Sequence, residues 1–215
     1  MHNKSDHITL LAPAAHRSAP GGLSGSLPPD LLEQVRKRVG LLALLLAAAF
    51  AFDPVFYWVA TAIVRVTGSQ TLPVDAPVFR NVSAIAALAS FALWRAARSP
   101  RISAARLHTI GLVYEVAICL TMGILSHWQF YLQYRILPNL TWIPVVVILF
   151  PLLLPGPPRR MLAAAIASAA MAPLSILLLQ LTGRIDVRAT PEAYLPAIVG
   201  STFAVIFAWM GAKVV

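Results

Sequence analysis

No charged residue lies between Arg160 and Arg184, or between Glu192 and Lys213. Each run reaches the roughly 20 residues that an α-helix needs to cross the ~30 Å hydrocarbon core of a bilayer. In water, such runs would all have to share one protein core. In lipid they need only satisfy their own backbone, which a helix does. Composition favours lipid. Charged residues make up 12% of the 215 residues and hydrophobic ones 59%, with a mean hydropathy of +0.76. A soluble domain uses about a quarter charged residues to coat its surface. The chain therefore reads as an all-α integral membrane protein, a bundle of about six transmembrane helices.

Spans are expected at about 39–66, 78–94, 108–127, 140–154, 161–181 and 194–215, within one domain over 30–215. Ahead of it, 1–29 reads as a flexible cytoplasmic tail, because its Pro, Gly and Ser cannot bury enough surface to offset the entropy of ordering. The first 34 residues lack a continuous apolar stretch, so the first span is expected to act as an uncleaved anchor. Asp30 reads as the N-cap of a short charged helix over 31–38, and Ser103 as another N-cap. Pro54 should kink the first span, with Phe56, Tyr57 and Trp58 in an outer aromatic belt. The aromatic segment 128–135 is expected to be a wet connection outside the third span.

The formal charge of +9 does not point to nucleic acid, since the basic residues are scattered beside apolar segments. With the N-terminus inside, six spans put 12 of the 17 Lys and Arg on the cytoplasmic side and 5 outside. Each inner connection then carries at least two of them, as the positive-inside bias requires. Both termini are thus expected in the cytoplasm. The inner arginines Arg95, Arg98, Arg101, Arg106, Arg159 and Arg160 are expected to meet anionic lipid headgroups. Cys119, the single cysteine, excludes an intrachain disulfide and a thiol-rich metal site. No metal or cofactor is expected.

Two acids stand out. Glu115 lies about 10 Å into the third span, where a carboxyl costs several kcal/mol unless neutralised or paired. It is either a proton- or ligand-responsive group, or a protonated side chain bonded to a carbonyl or hydroxyl of a neighbouring helix. Asp53, before Pro54, marks either a functional acid or a helix break at the interface. His108 and His127 are about 28 Å apart by helix rise, so they cannot share a metal and read as interfacial. Ala164, Ser168 and Ala172 recur every fourth position, a small-residue pattern that lets helices approach closely. No phosphate loop, HExxH, Gly-x-Ser-x-Gly or pair of carboxylates within one span occurs.

From residue 31 onward the chain resembles the N-terminal, multi-span membrane region of a group of bacterial serine/threonine protein kinases. The resemblance rests on LLEQVRKRVGLLAL (31–44), IGLVYEVA (110–117), FPLLLPGPPRRMLAAA (150–165), SAAMAPL (168–174) and GAKVV (211–215), and covers about 185 residues. It implies a bacterial cytoplasmic membrane and a role in signalling. In those kinases the last span leads into a Gly-rich ATP loop, which has no counterpart here, so no catalytic residue is carried over. The chain is then expected to be either a fragment of a longer protein or a kinase-less relative.

Three functions follow. The first is a non-catalytic anchor or sensor module that acts through a partner. The second is an accessory structural subunit of a large photosynthetic or respiratory complex. The third, a small transporter, is least supported, because transporters gather several coordinating groups near the midplane. Expected partners are membrane lipids and other membrane or cytoplasmic subunits.

Overall fold

A computed structural model describes residues 29–67, 77–154, 156–186 and 191–214. The tail expected before residue 29, most of the 68–77 loop and Arg188 lie outside the described residues. Among the described residues there are six α-helices and no strand. They are α1 (Pro29–Thr67), α2 (Pro77–Arg98), α3 (Ala104–Tyr134), α4 (Ile143–Leu153), α5 (Pro158–Leu181) and α6 (Pro191–Val214).

The helix ends differ from the hydropathy reading for local reasons. The charged segment 31–38 is not a separate helix. It is the first part of the 39-residue α1, because nothing between Arg38 and Val39 breaks the backbone ladder. Asp30 consequently falls inside the first turn of α1 and not before it. Pro54 lies within α1, as Pro151, Pro173 and Pro196 do in α4, α5 and α6. Ser103 does cap α3, accepting from the Arg106 N–H at 3.3 Å. α3 then runs on through the aromatic segment to Tyr134. It stops where Arg135 turns left-handed (φ 59°) and its N–H returns to the Tyr131 carbonyl at 2.8 Å.

The contacts fix the direction of each helix. The Arg36 guanidinium, near the start of α1, donates to the Ser99 carbonyl (2.6 Å) and the Ile102 carbonyl (2.5 Å) beyond the end of α2. Arg80, near the start of α2, lies 4.5 Å over the Tyr57 ring, so α1 and α2 are antiparallel. His108 packs on Gly156 and Gly123 on Ser175, while the Tyr131 hydroxyl accepts from the Asp186 N–H at 3.1 Å. α3 and α5 therefore run the same way. The chain between them must return along the bundle, and α4 makes most of that return. Pro144 meets Gly200 and Leu152 meets Gly211, so α6 runs parallel to α4. Helices α1, α3 and α5 point one way and α2, α4 and α6 the other.

Five of these helices are long and apolar enough to cross a membrane. The exception is α4, whose 11 residues span only about 16 Å. Pro138 precedes the helix and Pro144 fixes its first turn, which starts it three residues later than hydropathy suggests. Outward faces carry Leu41, Phe52, Leu88, Val113, Phe203 and Phe207, all exposed on the bundle. A bundle that is apolar outside as well as inside is one solvated by lipid.

Candidate functional site

The buried side of α3 carries His108, Gly111, Glu115, Cys119, Gly123 and His127 at three- and four-residue intervals. The buried side of α5 carries Ala164, Ser168, Ala172 and Ser175. These two lines face each other along much of the bundle. Glycine on one helix and alanine or serine on the other let the backbones approach closely. Ala164, Ser168 and Ala172 thus pack within the chain's own bundle.

Polar side chains sit at three levels of this seam. At one end His108, 3% exposed, presses its ring against Gly156 in the turn before α5, where a methyl group would collide with Nε2. At the middle level Glu115 is 1% exposed, with the Ser168 hydroxyl and the Cys119 thiol among its neighbours. The Ser168 hydroxyl lies against both the Glu115 carboxyl and the Cys119 thiol, but neither it nor either carboxyl oxygen is aligned for a full hydrogen bond. At the far end His127, fully buried, places Nδ1 2.9 Å from the Ser175 hydroxyl. That hydroxyl also lies 2.7 Å from the Ala172 carbonyl; when it donates there, it accepts from Nδ1–H. The lone pair of the ring is then left on Nε2, which has no protein partner. His127 also borders a cavity of about 10 Å³ between Asn139, Thr141, Pro144 and Ser201, room for about one water molecule.

Every buried side-chain polar atom without a partner, among the described residues, belongs to this seam: His108 Nε2, both Glu115 oxygens, His127 Nε2 and the Ser168 oxygen. The other buried pairs nearby are satisfied. Tyr114 donates to the Ser90 hydroxyl at 2.5 Å, and Ser90 donates to the Ala86 carbonyl at 2.6 Å, which joins α3 to α2. Among the described residues, no three His, Cys, Asp or Glu side chains lie close enough to hold a metal ion. The seam offers hydrogen bonding and a site for a proton or a water, with the Arg160 charge of α5 near its His108 end.

The helix directions gather the arginines singled out in the sequence. Arg95, Arg98, Arg101, Arg106, Arg159 and Arg160 are exposed at the end where α1, α3 and α5 begin, together with Arg36, Lys37 and Arg38. At the opposite end three arginines lie over aromatic rings: Arg80 over Tyr57 at 4.5 Å, Arg135 over Tyr131 at 5.6 Å and Arg184 over Trp128 at 5.0 Å. Asp53 belongs to α1, and its side chain lies outside what the structure describes. His108 and His127 are both buried inside the bundle. Hydropathy placed His127 at a span end because Trp128, Gln129 and Gln133 look wet, whereas α3 continues past His127 for seven residues, to Tyr134.

Ser175 had no signal in the sequence beyond being one more small residue. Its pairing with His127 depends on the register of α5 against α3. Comparison with protein-family models, curated proteins and solved structures finds no match to this chain.

Proposed function

We propose that this chain is a transmembrane sensor and anchor module that acts through a protein partner, and that the α3–α5 seam is its responsive part. One observation carries the reading. The unpartnered buried groups are concentrated on a single helix–helix contact, with potential partners one small movement away. A buried polar group left unpaired costs about 1–3 kcal/mol. A slide or rotation of α5 that brings Ser168 onto Glu115 recovers part of that cost. Two packings of similar energy are what a ligand, lipid or partner can select between. α5 packs against α6, where Tyr194 donates to the Gln180 side chain, so a shift of α5 reaches the last helix. The resemblance to the membrane region of bacterial serine/threonine kinases supports a signalling use, with the basic end of the bundle in the cytoplasm of a bacterial inner membrane.

A second reading, accessory subunit of a larger membrane complex, has its own support. Tyr57 is level with Arg80, three residues into the antiparallel α2, and α1 runs ten residues past Tyr57, or about 15 Å. Its last turns leave Trp58 69% exposed, Ile63 56% and Val66 87%. An apolar helix end projecting beyond its neighbour suits contact with another subunit.

Purification from native membranes in mild detergent, followed by mass spectrometry of the intact particle, tests both readings. A stoichiometric partner is expected: a kinase or other effector on the first reading, a membrane assembly on the second. Recovery of the chain alone, together with saturable solute uptake in liposomes that Glu115→Gln abolishes, would overturn both in favour of a transporter.

A further inference from the structure

At the basic end of the bundle a groove of about 410 Å³ opens between α1 and α2, lined by Arg36, Lys37, Gly40, Leu41, Leu44, Trp94, Ala97 and Arg98. Its volume falls within the range of small-molecule sites. Its chemistry changes along its length. Lys37 and Arg98 stand at one end, and both are exposed. The Arg98 guanidinium lies 4.1 Å over the Trp94 ring, which holds its charge at the groove with its N–H edge free to point outward. Arg36 adds a third positive charge behind them while its N–H groups serve the Ser99 and Ile102 carbonyls. Glu33 lies 3.0 Å from Lys37 across an exposed helix turn.

From Lys37 to Leu44 the groove follows α1 for about 10 Å towards the bilayer centre, and its walls become wholly apolar. Gly40 keeps the floor open. The absent side chain lets α1 approach Ala97 so closely that a Cβ there would already lie 3.4 Å from the alanine methyl.

We propose that this groove binds one anionic phospholipid, its phosphate between Lys37 and Arg98 and an acyl chain along Gly40, Leu41 and Leu44. A free anion would use only the mouth, and a neutral lipid would leave the net positive charge that remains after the Lys37–Glu33 pair uncompensated. An amphiphile with a negative head matches both ends. The inference rests on the chain being a membrane protein and is independent of the signalling proposal and of which face is cytoplasmic.

Native mass spectrometry of the full chain, titrated with phosphatidylglycerol, phosphatidylcholine or inorganic phosphate, tests it. Each basic residue near an anionic headgroup contributes on the order of fivefold to affinity. The wild type should therefore retain one phosphatidylglycerol at least about tenfold more tightly than phosphatidylcholine. Lys37→Gln with Arg98→Gln should remove that preference, while Arg159→Gln with Arg160→Gln, basic residues away from the groove, should keep it. Gly40→Leu should displace the chain and weaken both lipids; the charge variants keep the test decisive if this one fails to fold. Equal retention in wild type and Lys37→Gln/Arg98→Gln would overturn the proposal, as would equal loss in the Arg159/Arg160 pair. Displacement of the lipid by millimolar phosphate would assign the mouth to a free anion and also overturn it.

Discussion

Glu115 and Gly123 show how differently a polar and a small residue bear on the same seam. The Glu115 oxygens are buried without partners, so Glu115→Leu removes a cost and leaves little cavity. Stability in detergent should rise by about 1–3 kcal/mol, read as the midpoint of thermal unfolding, and any response of the seam should be lost. A fall in stability of similar size would mean that the carboxyl is bonded. Gly123→Ala goes the other way. A Cβ there would sit 2.6 Å from the Ser175 Oγ and 2.9 Å from its Cβ, and the latter cannot swing aside. The helices must separate, and the His127–Ser175 pair with them. A net loss of about 1–2 kcal/mol is expected after the ~1 kcal/mol that alanine gains in helix propensity. The oddity of Glu115 is legible in sequence, because a carboxyl in an apolar run needs a reason. Cys119, one turn along the same helix, is legible too; Ser168 is not, since it reaches Glu115 only through the register of two helices about fifty residues apart in the chain.

Arg36 shows how an element boundary can be held from a distance. Its bonds to the Ser99 and Ile102 carbonyls tie the start of α1 to the turn between α2 and α3. Arg36→Met should cost about 2 kcal/mol and speed trypsin cleavage after Arg101, whereas Lys37→Met, which breaks only the exposed pair with Glu33, should stay within about 0.5 kcal/mol of wild type. Equal protease sensitivity in the two variants would remove the clamp. Ser103 could be read as a cap from its place before an apolar run. The ends of α3 and α4 could not, because hydropathy reports where lipid is tolerated and not where the backbone stops being helical. Tyr131 and Trp128 are polar enough to look like a loop yet pack on Ile176, Leu179 and Ile185 inside the bundle.

On the scale of the whole molecule, charge bias and helix direction agree, although they come from independent sources. The alternation of α1 to α6 places the start of α1 and the end of α6 on one face, and the basic residues gather there. Reporter fusions should read out the same arrangement. Periplasm-active enzymes inserted at 68–76, 136–139 or 187–190 should be active, and those at 98 or 156 silent; activity at 156 would mean that α4 and its flanks do not complete a crossing. The six-helix class was legible because it rests on length and hydropathy alone. The seam was legible only as its separate parts, because contact between α3 and α5 is decided by packing. Whether that seam has two arrangements can be measured with spin labels on exposed Ala105 of α3 and Ala163 of α5, in lipid nanodiscs, by double electron–electron resonance. The account predicts two distance populations in the wild type, a shifted ratio in Glu115→Gln, and a single population in Glu115→Leu. One narrow distance, identical in all three proteins, would contradict it.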